Sequence, residues 1–184
     1  MNNQSDRQSA EERFRGVFAH LGAVTAYARR RGSRDADGIA AEAMTIAWRR
    51  LADVPADVPA DDPLPWLFAT ARNLVFEEAR RSTPSVSASA DEIEDASVEP
   101  QPFELDPTLD RALRALSRFD REALLLVAWE DLTPGQAAKA LGINPAAFRV
   151  RLLRARRRFQ ASLAEAEAAA PRTPNLIHLD VEGT

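Results

Sequence analysis

From Phe14 the apolar residues Phe14, Phe18, Leu21, Val24 and Ala28 recur at helical spacing until the cationic turn "RRRGSRD" interrupts them. The pattern predicts one helix with Gly32 as its C-cap. Asp35 is placed to N-cap a second helix, with Ile39, Ala43, Ile46 and Ala47 on one face and Trp48 near its end. A proline-punctuated loop, "ADVPADVPADDP", follows, and its doubled "VPAD" is a local echo rather than a structural repeat. A third helix begins between Pro63 and Trp66 and runs to Arg81, with Leu67, Ala71, Leu74 and Val75 as its buried stripe.

The pattern then lapses. "STPSVSASADEIEDASVEPQPFELD" is rich in Ser, Pro and acids and poor in aliphatics, the composition of a flexible linker. Asp106-Pro107 opens a further helix carrying Leu109, Leu113 and Leu116. The next, from about Arg118 to Trp129, is expected to bury Leu124, Leu125, Val127 and Ala128. Thr133-Pro134 starts a third, which Gly142 ends, and Asn144-Pro145 starts a fourth that continues past Phe159 toward Ala169. No run alternates with period two. The expected fold is all-α, two small helical domains joined by a flexible acidic linker, the second containing a helix-turn-helix. The boundaries expected are 1–81, a linker at 82–107, 108–164, and a C-terminal tail at 165–184.

Composition narrows the class. The chain has 184 residues, 45% of them apolar, enough for packed cores. It has no cysteine, so disulfides, thiolate catalysis and Cys-based zinc sites are excluded. Its start, "MNNQSDRQSAEERFRG", is polar, and no stretch approaches a membrane span, so the expectation is a cytoplasmic protein without membrane insertion. Net charge is −4, but it is segregated along the chain. Residues 82–107 carry seven acids and no base, whereas 108–163 carry 11 bases against five acids. The cationic block coincides with the predicted helix-turn-helix.

That block carries the first candidate chemistry. Two short helices around a glycine turn place the second helix in a DNA major groove. In that helix Phe148, Leu152, Ala155 and Phe159 form the face that packs inward. The opposite face presents Ala147, Arg149, Val150, Leu153, Arg154 and Arg157, with Asn144 and the small Ala146 at the helix start. Arginine's planar fork binds guanine O6 and N7 in pairs, and its charge neutralises phosphate. Arg156 and Arg158 are equally consistent with a solvated face, since the chain uses 23 Arg against one Lys.

A second candidate site lies in "PWLFATARNLVFEEARR", where Trp66, Phe68 and Phe76 are interleaved with Arg72, Asn73, Arg80 and Arg81. Rings beside cations suit unstacked single-stranded bases. Aromatics at helical spacing also suit a core, and the pattern alone leaves both open.

Taken in order, these pieces resemble the small two-domain bacterial RNA polymerase sigma factors of the extracytoplasmic-function type, over about residues 12–163. "DADGIAAEAMTIAWRR" is similar to their clamp-gripping helix, "PWLFATARNLVFEEARR" to their promoter-melting segment, and "LDRALRALSRFDREALLLVAWEDLTPGQAAKALGINPAAFRVRLLRAR" to their second domain. The resemblance implies a sigma factor, not an enzyme, acting without cofactor or metal. It implies as partners the RNA polymerase core, through the clamp of its largest subunit and the flap of the second, and promoter DNA; it also admits an anti-sigma factor. Asp35, Asp37, Glu42, Trp48 and Arg49 are then the core-binding candidates. Trp66, Arg72, Asn73, Arg80 and Arg81 would capture bases at the melted edge. The outward face from Asn144 to Arg157 would read the minus-thirty-five element.

The chain departs from the family pattern in several places: Gly38 and Ala41 replace an acid and a glutamine, Ser117 stands where proline is common, and Gln136-Ala137-Ala138 replaces an acid-Ile-Ala run. Two other readings stay open. One is a helix-turn-helix regulator of duplex operators, and the other an interaction protein that titrates an anti-sigma factor. An enzyme is disfavoured, since only His20 and His178 exist and no nucleophile–base or metal-ligand cluster accompanies them.

Overall fold

A computed structural model describes residues 3–55, 62–82 and 106–169. Nearly all of the expected linker, 83–105, and the tail from 170 to 184, with its His178, lie outside the described residues. The described chain forms eight helices: α1 (Asn3–Phe18), α2 (Leu21–Arg30), α3 (Ala36–Arg49), α4 (Leu64–Ser82), α5 (Pro107–Arg114), α6 (Arg118–Ala128), α7 (Pro134–Leu141) and α8 (Pro145–Ala169). No strand occurs among the described residues. None of these helices is long and apolar enough to cross a membrane.

The first predicted helix is two. The Ala19 N–H is shared between the Arg15 and Gly16 carbonyls and His20 bonds back to Val17, which tightens the end of α1 before Val24 bonds to His20 and restarts the ladder. Neither glycine nor proline marks Ala19-His20, so the sequence carries no stop there. The apolar register nevertheless runs through the break, and Val17, Val24, Tyr27 and Ala28 are all buried. Gly32 ends α2 as expected. Its φ of +80° is the left-handed conformation that lets the Ser33 N–H reach the Ala28 carbonyl.

The remaining helix starts follow their caps. Asp35 accepts from the Gly38 N–H at 2.9 Å, Asp62 from Leu64 at 2.8 Å, and Asp106 from Thr108 at 2.8 Å. Those bonds hold the exposed Asp106 carboxyl below its ordinary range. Ser117 caps α6 through the Asp120 N–H, which gives this departure a local function that proline could not supply. Thr133 and Gln136 form a reciprocal capping box at α7, Gly142 closes that helix at φ +66°, and Asn144 caps α8. Arg121 fastens the end of α5 by donating to the Leu113, Arg114 and Leu116 carbonyls, groups that α5 cannot bond itself.

Helix α3 packs between α2 and α4. Its inward face, Ala36, Ile39, Ala40, Ala43, Met44 and Ala47, is mostly alanine, which permits close helix approach. In the second half, α8 lies across α5, α6 and α7. On α8 Phe148, Leu152 and Ala155 are buried and Phe159 half-buried, as the spacing predicts. On α6 the expected stripe is displaced: Ala128 is exposed and Leu124 and Val127 are half-buried, while Glu122, Ala123, Leu125 and Leu126 are buried. A buried glutamate displaces the stripe, because its ion-pair partners lie in the first half.

The halves are packed together. One apolar cluster runs from Val24, Tyr27 and Phe68 to Ala123, Leu126, Ala137 and Phe148, and α4 lies against α7. Leu113, Leu116 and Leu125 form a small separate cluster beneath α8.

Candidate nucleic-acid interface

The capped turn between α7 and α8 fixes a helix whose inward positions are consumed by packing, which decides what the opposite face can do. Asn144, Ala146, Ala147, Arg149, Val150, Leu153, Arg154 and Arg157 are all exposed. Val150 and Leu153, at 49% and 51% exposure, are large apolar groups left in water. Arg149, Arg154 and Arg157 have no carboxylate partner among the described residues. The face therefore combines donors suited to guanine edges and phosphate with apolar groups suited to a thymine methyl. Arg158 differs, because it is tied to the buried Asp120 of α6. Arg151 lies 5.0 Å from the Phe119 ring centroid.

The five candidates of α4 divide. Asn73, Arg80 and Arg81 are exposed, the two arginines paired at the surface with Glu77. Trp66 is half-buried against the core with Arg50 at 6.0 Å, and Phe68 is buried in a stack with Tyr27 at 4.7 Å. Packing thus claims Phe68 and much of Trp66. Arg72 is half-buried, its Nε enclosed without a hydrogen-bond partner and its guanidinium 5.5 Å from the Phe76 ring. That ring is not free for a base either, since the Arg118 guanidinium of α6 lies 3.2 Å from its centroid.

The core-binding candidates Asp35, Asp37, Glu42, Trp48 and Arg49 are all exposed on or beside α3. Trp48 is 46% exposed and meets Phe14 edge-on at 5.0 Å, and Phe18, 48% exposed, extends the same aromatic patch. Asp35 is already engaged as an N-cap. Its carboxylate folds over Gly38, where a Cβ would stand only 2.1 Å from Oδ2, so this glycine leaves room for the cap.

One constellation has no counterpart in the sequence reading. Where the halves meet, the Tyr27 hydroxyl donates to Glu122 Oε1 at 2.8 Å and Arg31 Nε donates to Glu122 Oε2 at 2.9 Å. Arg31 Nη1 reaches Glu130 at 2.6 Å, and Arg30 pairs with Glu130 as well. The side chains of Arg31, Glu122 and Glu130 are only 7%, 11% and 3% exposed. Burial pushes Glu122 upward, but the Arg31 charge and the bonds from Arg31 and Tyr27 outweigh it and hold the carboxyl below its ordinary range. Burial, reinforced by the Glu122 charge, drives the Tyr27 hydroxyl well above its usual range, so it stays protonated and donates. Arg118 is pulled down to about 10, first by desolvation, with Glu122 opposing and the like charge of Arg72 adding. The only hint in the sequence was an acid, Glu122, four residues from Leu126 on an apolar helix; its partner Arg31 is 91 residues away.

Residues 108–159 match the family described as sigma-70, region 4. A probable RNA polymerase sigma factor RfaY of Xanthomonas campestris pv. campestris is 36% identical over 132 residues, covering 65% of this chain. The match takes in 32% of that relative, so the chain spans about a third of its length. Among solved structures, CnrH in complex with the cytosolic domain of CnrY superposes with a TM-score of 0.59 at 26% identity, over 89% of this chain and 96% of that one. The sigma factor RpoE of Bartonella quintana, in complex with the anti-sigma factor NepR, superposes with a TM-score of 0.55 at 23% identity, over 80% and 94%.

Proposed function

We propose that this chain, which carries a sigma-70 region 4 domain and is homologous to RNA polymerase sigma factors, directs core polymerase to specific promoters. The observation that carries the reading is the division of α8 into a packed face and an exposed face of apolar groups and arginines without a carboxylate partner among the described residues. Region 4 homology covers the turn and this helix as far as residue 159.

In this reading α8 lies in the major groove of the upstream duplex. Arg149 and Arg154 address guanines, Val150 and Leu153 meet thymine methyls, and Arg157 holds phosphate. The α3 surface around Glu42, Trp48 and Arg49 engages the polymerase clamp. Asn73, with Arg72, Arg80 and Arg81, receives non-template bases as the duplex melts, and binding there offsets the unstacking cost of a few kcal/mol. An anti-sigma factor fits as a regulator, because both solved relatives named above are complexes and the RpoE partner is an anti-sigma factor.

The test is reconstituted run-off transcription with core polymerase and a genomic promoter pool. Added chain should produce start sites absent without it, and Trp48→Ala should weaken polymerase association while leaving duplex binding unchanged. No dependent start site, together with no association by gel filtration, refutes the reading. Association without any start site favours the interaction-protein alternative.

A further inference from the structure

We propose that Lys139 is an acylation site, and that an acyl phosphate reacting there weakens the hold of this chain on duplex DNA. The inhibition rests on the proposed seating of α8 in the major groove; the reactivity of the lysine does not.

Three observations carry the site. The first is chemical scarcity. The chain has 23 arginines, one lysine and no cysteine. A guanidinium stays protonated and is no nucleophile near neutral pH, so the one side-chain amine able to form a stable amide stands at position 139. Hydroxyl and imidazole adducts of the same donor are esters and acyl-imidazoles, which water cleaves.

The second observation is access. Lys139 is exposed in the last turn of α7 and has no carboxylate partner among the described residues. A helical side chain leans over the turn before it, and there Gly135 leaves the approach clear, since even a Cβ at that position would meet nothing within 4 Å. Residues 132–164 contain six arginines besides Lys139 and no acid, so an anionic donor is drawn to this segment. Complementing the helix end does not account for the lysine, because an arginine would do it equally well.

The third observation is position. A helix-turn-helix whose second helix enters the groove carries its first helix across the DNA backbone. Here that first helix is α7, whose buried face is spent on Ala137, Ala138, Ala140 and Leu141 and whose one cation is Lys139. An ammonium on a flexible stem meets phosphate as a point charge.

In the reaction the neutral amine nitrogen attacks the acyl carbon, and the bond from that carbon to the phosphate oxygen breaks. Inorganic phosphate leaves with the electron pair and takes the proton shed by nitrogen. The product is an uncharged amide that no longer pairs with DNA phosphate. Losing one such contact flattens the dependence of log K on log salt by about 0.9, which near 0.15 M salt is roughly fivefold weaker binding.

The test treats the full chain with acetyl phosphate, maps the adducts by peptide mass spectrometry, and measures anisotropy on selected and scrambled duplexes over a potassium chloride series. Lys139 should be the one side chain carrying a stable acetyl group, and both duplexes should bind about fivefold more weakly with the flatter slope. Lys139→Arg should bind normally and ignore the treatment, whereas Lys139→Gln should bind as the acetylated chain does before any treatment. No amide at Lys139 overturns the site. Acetylation that leaves duplex binding unchanged overturns the inhibition while the duplex reading stands, and a loss confined to the selected duplex overturns the phosphate role. An untreated chain that binds neither duplex fails the duplex reading and the inhibition with it.

Discussion

Arg149 and Arg158 sit nine positions apart on one helix, and the structure assigns them opposite fates. Arg149 is exposed without a carboxylate partner among the described residues, whereas Arg158 is paired with Asp120, whose side chain is only 8% exposed. A bidentate arginine–guanine contact discriminates by about 1–3 kcal/mol, so Arg149→Ala should weaken binding to the selected duplex by about 5- to 150-fold. It should leave binding to a scrambled duplex nearly unchanged. Arg157→Ala, removing a phosphate contact, should weaken both duplexes alike and flatten the dependence of log K on log salt by about 0.9. Arg158→Ala should barely touch DNA binding. It strands the Asp120 carboxylate instead, and because the Arg158 side chain is 63% exposed the loss of stability should be near the low end, about 1 kcal/mol. Fluorescence anisotropy on selected and scrambled duplexes over a potassium chloride series, with urea unfolding in parallel, separates the three. If Arg158→Ala lowers selected-duplex affinity as much as Arg149→Ala, or Arg149→Ala lowers both duplexes equally, the facial assignment of α8 is wrong.

Three further outcomes follow from packing and protonation. Phe148→Ala empties a fully buried site where α8 meets the core and should cost about 3–5 kcal/mol in urea unfolding; a loss below about 1 would mean the helix is not seated there. Gly142→Ala should cost about 1–2 kcal/mol although a Cβ has open space, because the residue sits at φ +66°; a neutral result would place the strain elsewhere. The depressed Glu122 stabilises the packed halves above its ordinary value of 4.5, and that contribution is lost as the pH falls below it. Tyr27, shifted upward from 10.0, contributes below that value and loses it as the pH rises beyond. Stability in urea unfolding should therefore hold between about pH 6 and 9 and fall on acidification; in a Glu122→Gln variant that fall should be smaller, and an equal fall would contradict the Arg31 pairing.

The features legible in the sequence are local. Asp35, Asp106-Pro107, Thr133-Pro134, Gly142 and Asn144-Pro145 mark helix ends through bonds spanning two to five residues, and each does so in the structure. The α8 faces were legible for the same reason, since a 3.6-residue period sorts them without outside help. The break at Ala19-His20 was not, because the tightened turn is imposed by packing rather than by a breaking residue. Glu122, Glu130 and Arg31 were not either, because their burial depends on which helices meet across the chain. The departures at Gly38, Ser117 and Gln136 make sense only with neighbours in place: room for a cap, a cap, and a capping box that also reaches Asp62.

The separation of the two faces of α8 bears on how such a protein can change. Its inward residues determine whether the helix is held, and its outward residues touch nothing that holds it, so substitutions on the two faces should combine additively. If α8 reads duplex DNA as proposed, a drifting lineage, or a designer, could exchange Arg149, Val150, Leu153 and Arg154 as a cassette and send the protein to a different set of genes. The exchange would leave its thermal stability almost as it was.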